Sequence, residues 1–200
     1  MLSQESQSRP GLRERKKAKT KAIMQEQALR LFAKQGYDGT SVEQIAEAAE
    51  VSPSTFFRYF PTKEAVVLHD TLDPLIIENF RSQPPGINTV QALRSALHTV
   101  FSEMPKDQLD RELQRSELMH DVPELRAAML GEFAKNIDMF SQLIADRIGR
   151  SAQDASVRVL AGAIIGVILS ALLRAYEDPK ADYLRYYDEA LAQFEKGLPL

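Results

Sequence analysis

Apolar residues in the first third of the chain recur three or four positions apart, which is the spacing of one face of an α-helix. Met24, Leu31 and Phe32 belong to this series and predict a first helix over residues 13–35. Gly36 follows the series directly, and glycine commonly terminates a helix. The pattern therefore predicts a long N-terminal helix followed by a turn.

Two short helices are predicted after that turn. Thr40 and Ser41 precede an acidic and an amide residue at capping-box spacing, which opens a second helix that ends near Glu50. Ser52 can cap a third helix over residues 53–60. Proline suits the first position of this helix, because the amide that it lacks would have no helical partner there. The break between the two helices is therefore tight.

A longer fourth helix is predicted over residues 62–80. Pro61 ends the third helix, Thr62 can cap the fourth, and apolar residues continue at helical spacing to the end of the range. The Asp73-Pro74 pair can kink this helix. We expect it to join two domains.

Four or five further helices are predicted in the rest of the chain. Residues 82–88 contain two prolines and a glycine and form the clearest loop, and Thr89 is the expected cap of the helix after it. The predicted helices cover residues 89–104, 107–119, 121–149, 154–176 and 182–196. Strand-like alternation is absent. The sequence predicts an all-α fold, with a three-helix helix-turn-helix domain over residues 1–64 and a C-terminal domain over residues 65–200.

Charge is distributed unevenly along the chain. The formal net charge is −3, but residues 1–64 carry +3 and residues 65–200 carry −6. A basic head on an acidic protein suggests a polyanion partner for the head, although a solvated tail explains the same charges as well. The basic cluster, interrupted only by Glu14, consists of Arg13, Arg15, Lys16, Lys17, Lys19 and Lys21.

Composition argues against an enzyme or a metal protein. The chain has no cysteine, which excludes a disulfide, a thiolate metal site and a cysteine nucleophile. His69, His98 and His120 have no second histidine four residues away, and neither a nucleophile elbow nor a glycine-rich phosphate loop is present. We expect structural or solvent-facing histidines, no catalytic residue, no metal and no cofactor.

The most apolar window, residues 159–173, is shorter than the roughly 18 residues that suggest a membrane span. Arg158 and Arg174 stand at its two ends. The first 21 residues lack the apolar stretch of a signal peptide. We expect a cytoplasmic protein in which this window is a buried helix, with no membrane partner.

The two short helices joined by a tight turn match a helix-turn-helix, in which the second helix enters the major groove of DNA. Helical spacing places Phe56 and Phe60 on the core side of this recognition helix. The candidates for its exposed side are Ser54, Thr55, Arg58 and Tyr59. The residues therefore predict DNA binding.

This part of the chain resembles the TetR family of transcriptional repressors. The resemblance covers roughly residues 17–66 and preserves the spacing from the Phe32 helix through Gly36 to Lys63 and Glu64. It rests on the runs TSVEQIAEAAEVS at 40–52, STFFRYF at 54–60 and TKE at 62–64. It implies a homodimer that binds operator DNA and a C-terminal domain that responds to a small molecule.

The resemblance implies phosphate contacts at the starts of two helices. Thr40 and Ser41 would contact phosphate at the N-terminus of the second helix, where anions are favoured, and Lys63 would clamp phosphate from the fourth. The N-terminal arm carries Arg9, Arg13 and Arg15. It either enters a minor groove of DNA or raises non-specific affinity for DNA. We expect the second role for the arm.

The resemblance also implies base contacts from the recognition helix. Ser54 and Thr55 would face bases, and Arg58 and Tyr59 would contact bases or nearby phosphates. Phe57 stands where the family usually has tyrosine, and its ring cannot donate a hydrogen bond to phosphate. Which of these residues read sequence is left open.

A dimer interface is expected on the long apolar helix near the C-terminus. Gly162, Gly166 and Ser170 repeat every four residues and let another helix approach closely, with Ala163 and Val167 beside them. The resemblance implies a four-helix interface built from two subunits. Ordinary packing within one chain is the alternative.

An effector site is expected among the middle helices, where methionine and phenylalanine suit an adaptable apolar pocket. Each of these residues can equally be core. If a ligand exists, we expect a small lipophilic one. The candidates are Phe101, Met104, Met119, Met129, Phe133, Ile137, Phe140 and Ile144.

Three functions follow from this sequence. The first is a ligand-responsive repressor. The second is a helical carrier or enzyme whose basic head only aids solubility, and the third is a DNA-binding protein without an effector. Sequence-specific DNA binding separates the second from the others, and an effector that releases DNA separates the first from the third.

Overall fold

The computed structural model describes residues 11–176 and 182–198, without the side chains at positions 130, 133, 134 and 176. These residues form helices and no strand, which confirms the predicted all-α fold. The chain divides into two compact units between Val67 and Leu68. The first unit contains the predicted helix-turn-helix.

Each predicted helix has a counterpart in the structure, with one difference in the fourth. In chain order the helices of the described residues are α1 (Leu12–Gln35), α2 (Val42–Ala48), α3 (Pro53–Tyr59), α4 (Lys63–Leu68), α5 (Asp73–Ser82), α6 (Thr89–Glu103), α7 (Lys106–Asp121), α8 (Pro123–Ile148), α9 (Ala155–Tyr176) and α10 (Tyr183–Glu195).

Two glycines shape the turn between α1 and α2. Gly36 has φ of +80°, and its amide donates to the carbonyl of Phe32 over 2.9 Å, which ends α1 as predicted. A Cβ added at Gly39 would lie 2.5 Å from the carbonyl oxygen of Gln35. The backbone therefore approaches too closely at Gly39 for any side chain.

α2 begins with a complete capping box. The Gln44 amide donates to Ser41 Oγ over 3.3 Å, and the Ser41 amide donates to Gln44 Oε1 over 2.9 Å. Ser41 is the N-cap, while Thr40 lies one residue before it and is buried. The predicted start of α2 is therefore confirmed, with Ser41 as the capping residue.

The turn between α2 and α3 contains a left-handed residue. Glu50 has φ of +54°, and the amide of Val51 donates back to the carbonyl of Ala46 over 2.9 Å. Ser52 Oγ then accepts from the amide of Thr55 over 3.1 Å and caps α3. These bonds produce the tight break that the sequence predicts.

A hydrophobic core holds the four helices of the first unit together. Gln25 is a buried polar residue there. Its side-chain amide nitrogen donates to the carbonyl of Val66 over 3.0 Å, so this buried nitrogen has a hydrogen-bond partner. The buried apolar residues are Met24, Ala28, Leu29, Phe32, Tyr37, Ile45, Ala46, Ala49, Phe56, Phe60, Val66 and Val67.

The prediction of one helix over residues 62–80 is wrong. α4 ends at Leu68, and a new helix, α5, begins at Asp73. Asp70 Oδ1 accepts from the amide of Leu72 over 2.6 Å and from that of Asp73 over 3.1 Å. In a continuous helix these amides would donate to backbone carbonyls of the preceding turn. Here the Asp70 side chain accepts their hydrogen bonds instead, and the helix is interrupted at this point.

The second unit is built around one main hydrophobic cluster that α5, α6, α8, α9 and α10 share. α6 is capped by Asn88, whose Oδ1 accepts from the amide of Gln91 over 2.8 Å, so the prediction of Thr89 as the cap is wrong. The error is one residue, because both side chains can cap and only the backbone of Asn88 is extended at that point.

α9 is the most apolar helix of the described residues. By length and composition alone, the stretch Ala155–Ala175 could cross a membrane, with a mean hydropathy of 2.2. Only 28% of it is buried within the single chain. The expectation that this window is buried is therefore met only in part by one copy of the protein.

Candidate nucleic-acid interface and effector domain

α3 has a buried side and an exposed side. Phe56 and Phe60 are buried, as predicted, and fix the helix on the core of the first unit. Ser54 and Arg58 are exposed, while Thr55 and Tyr59 are half-buried. The four polar candidates thus divide into two exposed residues and two half-buried ones.

Hydroxyl groups cluster at the start of α3. Ser52 Oγ lies 2.9 Å from Ser54 Oγ and 3.0 Å from Thr55 Oγ1. These bonds hold the Ser54 and Thr55 side chains in one arrangement before any ligand arrives. Each hydroxyl retains further hydrogen-bonding capacity.

Arg58 and Phe57 are also held by aromatic contacts. The Arg58 guanidinium lies 5.5 Å from the ring centroid of Tyr59, a cation–π distance. The Phe57 ring meets that of Phe56 edge to face, with centroids 5.7 Å apart, and is 50% exposed. Both side chains are therefore available at the surface but restricted in direction.

Thr40 and Ser41 lie in different environments at the start of α2. Thr40 is 2% exposed, and its hydroxyl donates to the carbonyl of Gly36 over 2.8 Å. Ser41 is exposed and its hydroxyl accepts the capping bond. Ser41 is accessible to phosphate, whereas the Thr40 hydroxyl serves the turn after α1.

Lys63 contacts the same turn. Its Nζ donates to the carbonyls of Tyr37 and Thr40, over 2.8 and 3.2 Å, and lies 3.9 Å from the Tyr37 ring centroid. Next to it, Tyr37 donates from its hydroxyl to Glu64 Oε1 over 3.1 Å. Burial opposes ionisation of Glu64, but hydrogen bonds from Thr62 and other donors and the charge of Lys63 together lower its pKa. These contacts, which the sequence did not indicate, stabilise the turn.

The basic cluster of α1 is largely accessible. Arg13 and Arg15 are exposed, and Arg9 lies outside the described residues. Lys21 is half-buried, with Nζ 5.3 Å from the centroid of the Phe60 ring. The remaining lysines of the cluster, Lys16, Lys17 and Lys19, are exposed.

The face of α9 that carries the predicted dimer residues is open within one chain. Gly166 and Ser170 are exposed, and Val159 is 71% exposed. A Cβ added at Gly162 or at Gly166 would meet no heavy atom within 4 Å. Ala163 and Val167 are half-buried beside them.

The predicted effector residues are not all in one environment. Phe101, Ile137 and Phe140 are half-buried and pack on the main cluster of the second unit, which contains Ile144. Met119 is buried beside Arg115. Met104 and Met129 are half-buried, and the Phe133 side chain lies outside what the structure describes.

One open groove of the second unit is lined mainly by residues of polar type. It has a volume of about 490 Å³ and none of the predicted effector residues in its wall. Arg94 lies in this wall and donates hydrogen bonds to two carboxylates of α10, those of Asp188 over 2.9 Å and Glu195 over 2.8 Å. The residues that line the groove are Ile87, Gln91, Arg94, Ser95, His98, Thr99 and Asp188.

A buried charge cluster, which the sequence did not reveal, lies where α5 begins. Arg115 is 6% exposed; its Nε donates to Glu112 over 2.8 Å and its Nη2 to Asp70 over 3.2 Å. Thr71 donates to the other Glu112 oxygen over 3.1 Å. Burial and the negative charge of Asp70 raise the pKa of Asp73 to about 6, against the opposing effect of Arg115. The cluster connects the segment after α4 to α7.

The geometry of the first unit is that of a helix-turn-helix. α2 packs on the long α1 and on α3, a tight turn joins α2 to α3, and α3 exposes hydrogen-bond donors on the side away from the core. No group of three or more potential metal ligands is found in the described residues. The class of protein that this fold defines is a helical DNA-binding regulator.

Comparison with known families and proteins supports that class. Residues 26–69 match the model of "Bacterial regulatory proteins, tetR family", and residues 87–199 match the model of "MftR C-terminal domain". TcmR, a transcriptional regulator of Streptomyces glaucescens, is 35% identical over 152 residues, which are 72% of this chain and 67% of TcmR. KstR, a transcriptional repressor of Rhodococcus jostii, is 26% identical over 149 residues, with 73% and 69% covered.

A solved structure extends the similarity to the whole fold. FadR of Thermus thermophilus, a transcriptional repressor in complex with lauroyl-CoA, has a TM-score of 0.56 and 25% identity, and the match covers 90% of this chain and 95% of FadR. The chain belongs to the TetR family of bacterial transcriptional regulators. The predictions of a ligand-responsive DNA-binding regulator, and of a protein that is not an enzyme, are confirmed at the level of the family.

Proposed function

We propose that this protein is a cytoplasmic repressor that binds operator DNA as a homodimer and releases it when a small lipophilic effector binds. The observation that carries the proposal is the two-sided surface of α3. Phe56 and Phe60 anchor the helix, while Ser54 and Arg58 remain exposed. Donors of this kind recognise base edges in the major groove.

Phosphate contacts come from the residues around α3 and from the basic cluster of α1. Ser41, which is exposed, and Tyr59 and Lys63, which are half-buried, would add to that surface. Since phosphate contacts depend strongly on salt and carry no sequence information, they set affinity and register. Base recognition then falls to α3.

The homodimer is proposed to form through the open face of α9. Gly162 and Gly166 leave space for a second helix, and Val159 and Ser170 extend that face along α9. A two-fold axis would bring the same face of a second copy against it. The two copies of α3 would then bind half-sites about 34–36 Å apart, one turn of DNA.

The effector is proposed to bind among the half-buried apolar side chains of the second unit. Ile137 and Phe140, on α8, and Phe101, on α6, pack on the core without being fully enclosed. That FadR was solved with lauroyl-CoA supports a lipophilic ligand for this chain as well. Release requires only that the effector favour a dimer conformation that binds DNA less tightly.

DNA binding is tested by fluorescence polarisation of labelled operator fragments at one fixed salt concentration. The fragments are first selected from random DNA with the wild-type protein. We expect Arg58→Ala to weaken specific binding by about tenfold or more, because a good base contact contributes roughly 1–3 kcal/mol. Arg126→Ala removes the same charge from an exposed position of α8 in the other unit and serves as the matched control. Binding without sequence preference in the wild type would favour the carrier function instead.

Effector release is tested in the same assay. Lauroyl-CoA and lauric acid are added to the complex, with free coenzyme A as the control for the nucleotide portion. We expect release by one of the lipophilic compounds, and a roughly tenfold higher concentration for the Ile137→Ala/Phe140→Ala variant. Leu75→Ala, at a 42% exposed position of α5, is the control. Specific DNA binding that neither these nor other lipophilic compounds reverse would identify a regulator without a lipophilic effector.

A further inference from the structure

Phe57 is the one strongly exposed apolar side chain of α3 in the described structure. Half of its surface is accessible, whereas the two other phenylalanines of the segment, Phe56 and Phe60, are buried. A single exposed apolar residue is common on protein surfaces, so exposure alone assigns no role. Its position on the recognition helix is what makes it informative.

One contact and the geometry of the helix restrict where the Phe57 ring can lie. It meets Phe56 edge to face, with the ring planes at 89° and the centroids 5.7 Å apart, and Phe56 itself is fully buried. Residues three apart share one side of a helix, so Phe57 lies on the same side as the exposed Ser54. The ring therefore belongs to the surface that faces DNA in a helix-turn-helix.

The chemistry of the ring limits what it can contact there. Phenylalanine has no hydrogen-bond donor for a phosphate and none for the polar atoms of base edges. The major groove of unmodified DNA presents one apolar group, the C5-methyl group of thymine. We propose that Phe57 recognises thymine by packing against this methyl group, and so specifies one T·A pair in each operator half-site.

The residues beside Phe57 support this assignment. Ser54, one turn before it, and Arg58, next to it, both carry donors that can bind the acceptors of purine edges. α3 therefore carries an apolar ring with a hydrogen-bond donor one turn before it and another next to it in sequence, so one helix offers both methyl and hydrogen-bond contacts. The inference rests on the proposed DNA binding through α3 and adds the identity of one base.

The test is a uracil scan of the operator. Each thymine is replaced in turn by deoxyuridine in both half-sites, which removes only the methyl group, and Kd is measured for wild type, Phe57→Ala and Phe57→Tyr. Loss of one buried methyl contact corresponds to about fourfold in Kd per half-site, and to about fifteenfold for the symmetric pair. We expect this loss at one thymine position in the wild type.

The variants show whether Phe57 is responsible. Phe57→Ala should bind the thymine and uracil operators equally at that position, since its ring is absent, while Phe57→Tyr keeps the ring and should keep the uracil penalty. Thermal unfolding verifies that each variant is folded, and the wild-type scan provides an independent reading if Phe57→Ala is not.

Two results would overturn the proposal while leaving DNA binding intact. One is a wild-type scan without a penalty at any thymine. The other is a uracil penalty that Phe57→Ala retains in full, which would assign the methyl contact to another residue. If Arg58→Ala and wild type both bind DNA without sequence preference, the proposed function fails first and this inference fails with it.

Discussion

The guanidinium of Arg115 on α7 and the carboxylate of Asp70 form an ion pair inside the second unit, with Nη2 3.2 Å from Oδ2. Asp70 also caps the first amides of α5, so one side chain both separates α5 from α4 and binds α7. Burial opposes the positive charge of Arg115, but the attraction of Asp70 and Glu112 raises its pKa. The connection between α4 and α5 therefore depends on a residue 45 positions away.

Replacement of Arg115 by methionine should destabilise the protein strongly. The methionine keeps much of the volume but leaves Asp70 and Glu112 without their cation. Because the side chain of Glu112 is 12% exposed and that of Asp70 is 35% exposed, we expect a cost at the lower end of the roughly 3–5 kcal/mol of a fully buried pair. Urea unfolding at pH 7, followed by circular dichroism at fixed protein concentration, measures the change. Arg158→Met is the control, because the Arg158–Asp138 pair is exposed and should contribute less than about 1 kcal/mol. Equal losses in the two variants would contradict this account.

Asp73 should make the protein less stable above pH 6 than below pH 4. Its pKa is raised from 3.8 to about 6 by burial and by Asp70, so the folded state binds more protons than the unfolded state between those values. Stability from this group is therefore present at low pH and lost as pH rises to about 6. Asp73→Asn should raise stability at pH 7 by about 1 kcal/mol, after allowance for partial exposure, and reduce this pH dependence.

Glu195 provides a contrast of opposite sign within the same unit. The hydrogen bond from Arg94 is the main cause of its lowered pKa, so its contribution is present at neutral pH and lost on acidification. Glu195→Gln should lower stability at pH 7, where Asp73→Asn raises it. Urea unfolding of wild type and both variants from pH 4 to pH 8 measures how each substitution changes the free energy of unfolding with pH. If both changes varied with pH in the same direction, the opposite roles given to Asp73 and Glu195 would be wrong.

The sequence predicted those features that depend on neighbouring residues. The cap at Thr62, which accepts from the Ala65 amide over 3.1 Å, and the stop at Gly36 are of this kind. The alternation of buried Phe56 and exposed Arg58 also follows from helical spacing alone. These local rules were sufficient to locate the recognition helix.

Features that depend on distant residues were missed. The break at Asp70 is stabilised by Arg115, and the conformation after α1 is stabilised by Lys63, which lies 26 positions from Tyr37. In the linear sequence Arg115 is one charged residue in a mixed helix, and its burial depends on packing that no local pattern encodes. The same limit applies to the effector residues, since periodicity cannot separate a core side chain from one that lines a pocket.

Gly39 is predicted to tolerate no side chain. In Gly39→Ala the new Cβ would lie 2.5 Å from the carbonyl oxygen of Gln35, so the turn before α2 must move, at a cost of about 1–3 kcal/mol. Gly131→Ala in α8 has open space and should stabilise by about 0.5–1 kcal/mol through helix propensity. Thermal unfolding compares the two, and DNA binding should weaken only in the first. A Gly39→Ala protein as stable as the wild type would show that the turn is adaptable.

The open face of α9 gives the most direct test of the proposed dimer. Gly166→Leu adds a side chain whose Cβ meets no heavy atom within 4 Å in one chain, and this side chain would fill the space needed by a partner helix, so the variant should fold and remain largely monomeric. Gly131→Leu makes the same substitution at an exposed position of α8, where an added Cβ also meets no heavy atom within 4 Å, and should remain dimeric. Sedimentation equilibrium measures the dimer Kd of each. Loss of a dimer should also weaken binding to a two-half-site operator, because each monomer would bind its half-site separately. A dimeric Gly166→Leu protein would place the interface elsewhere.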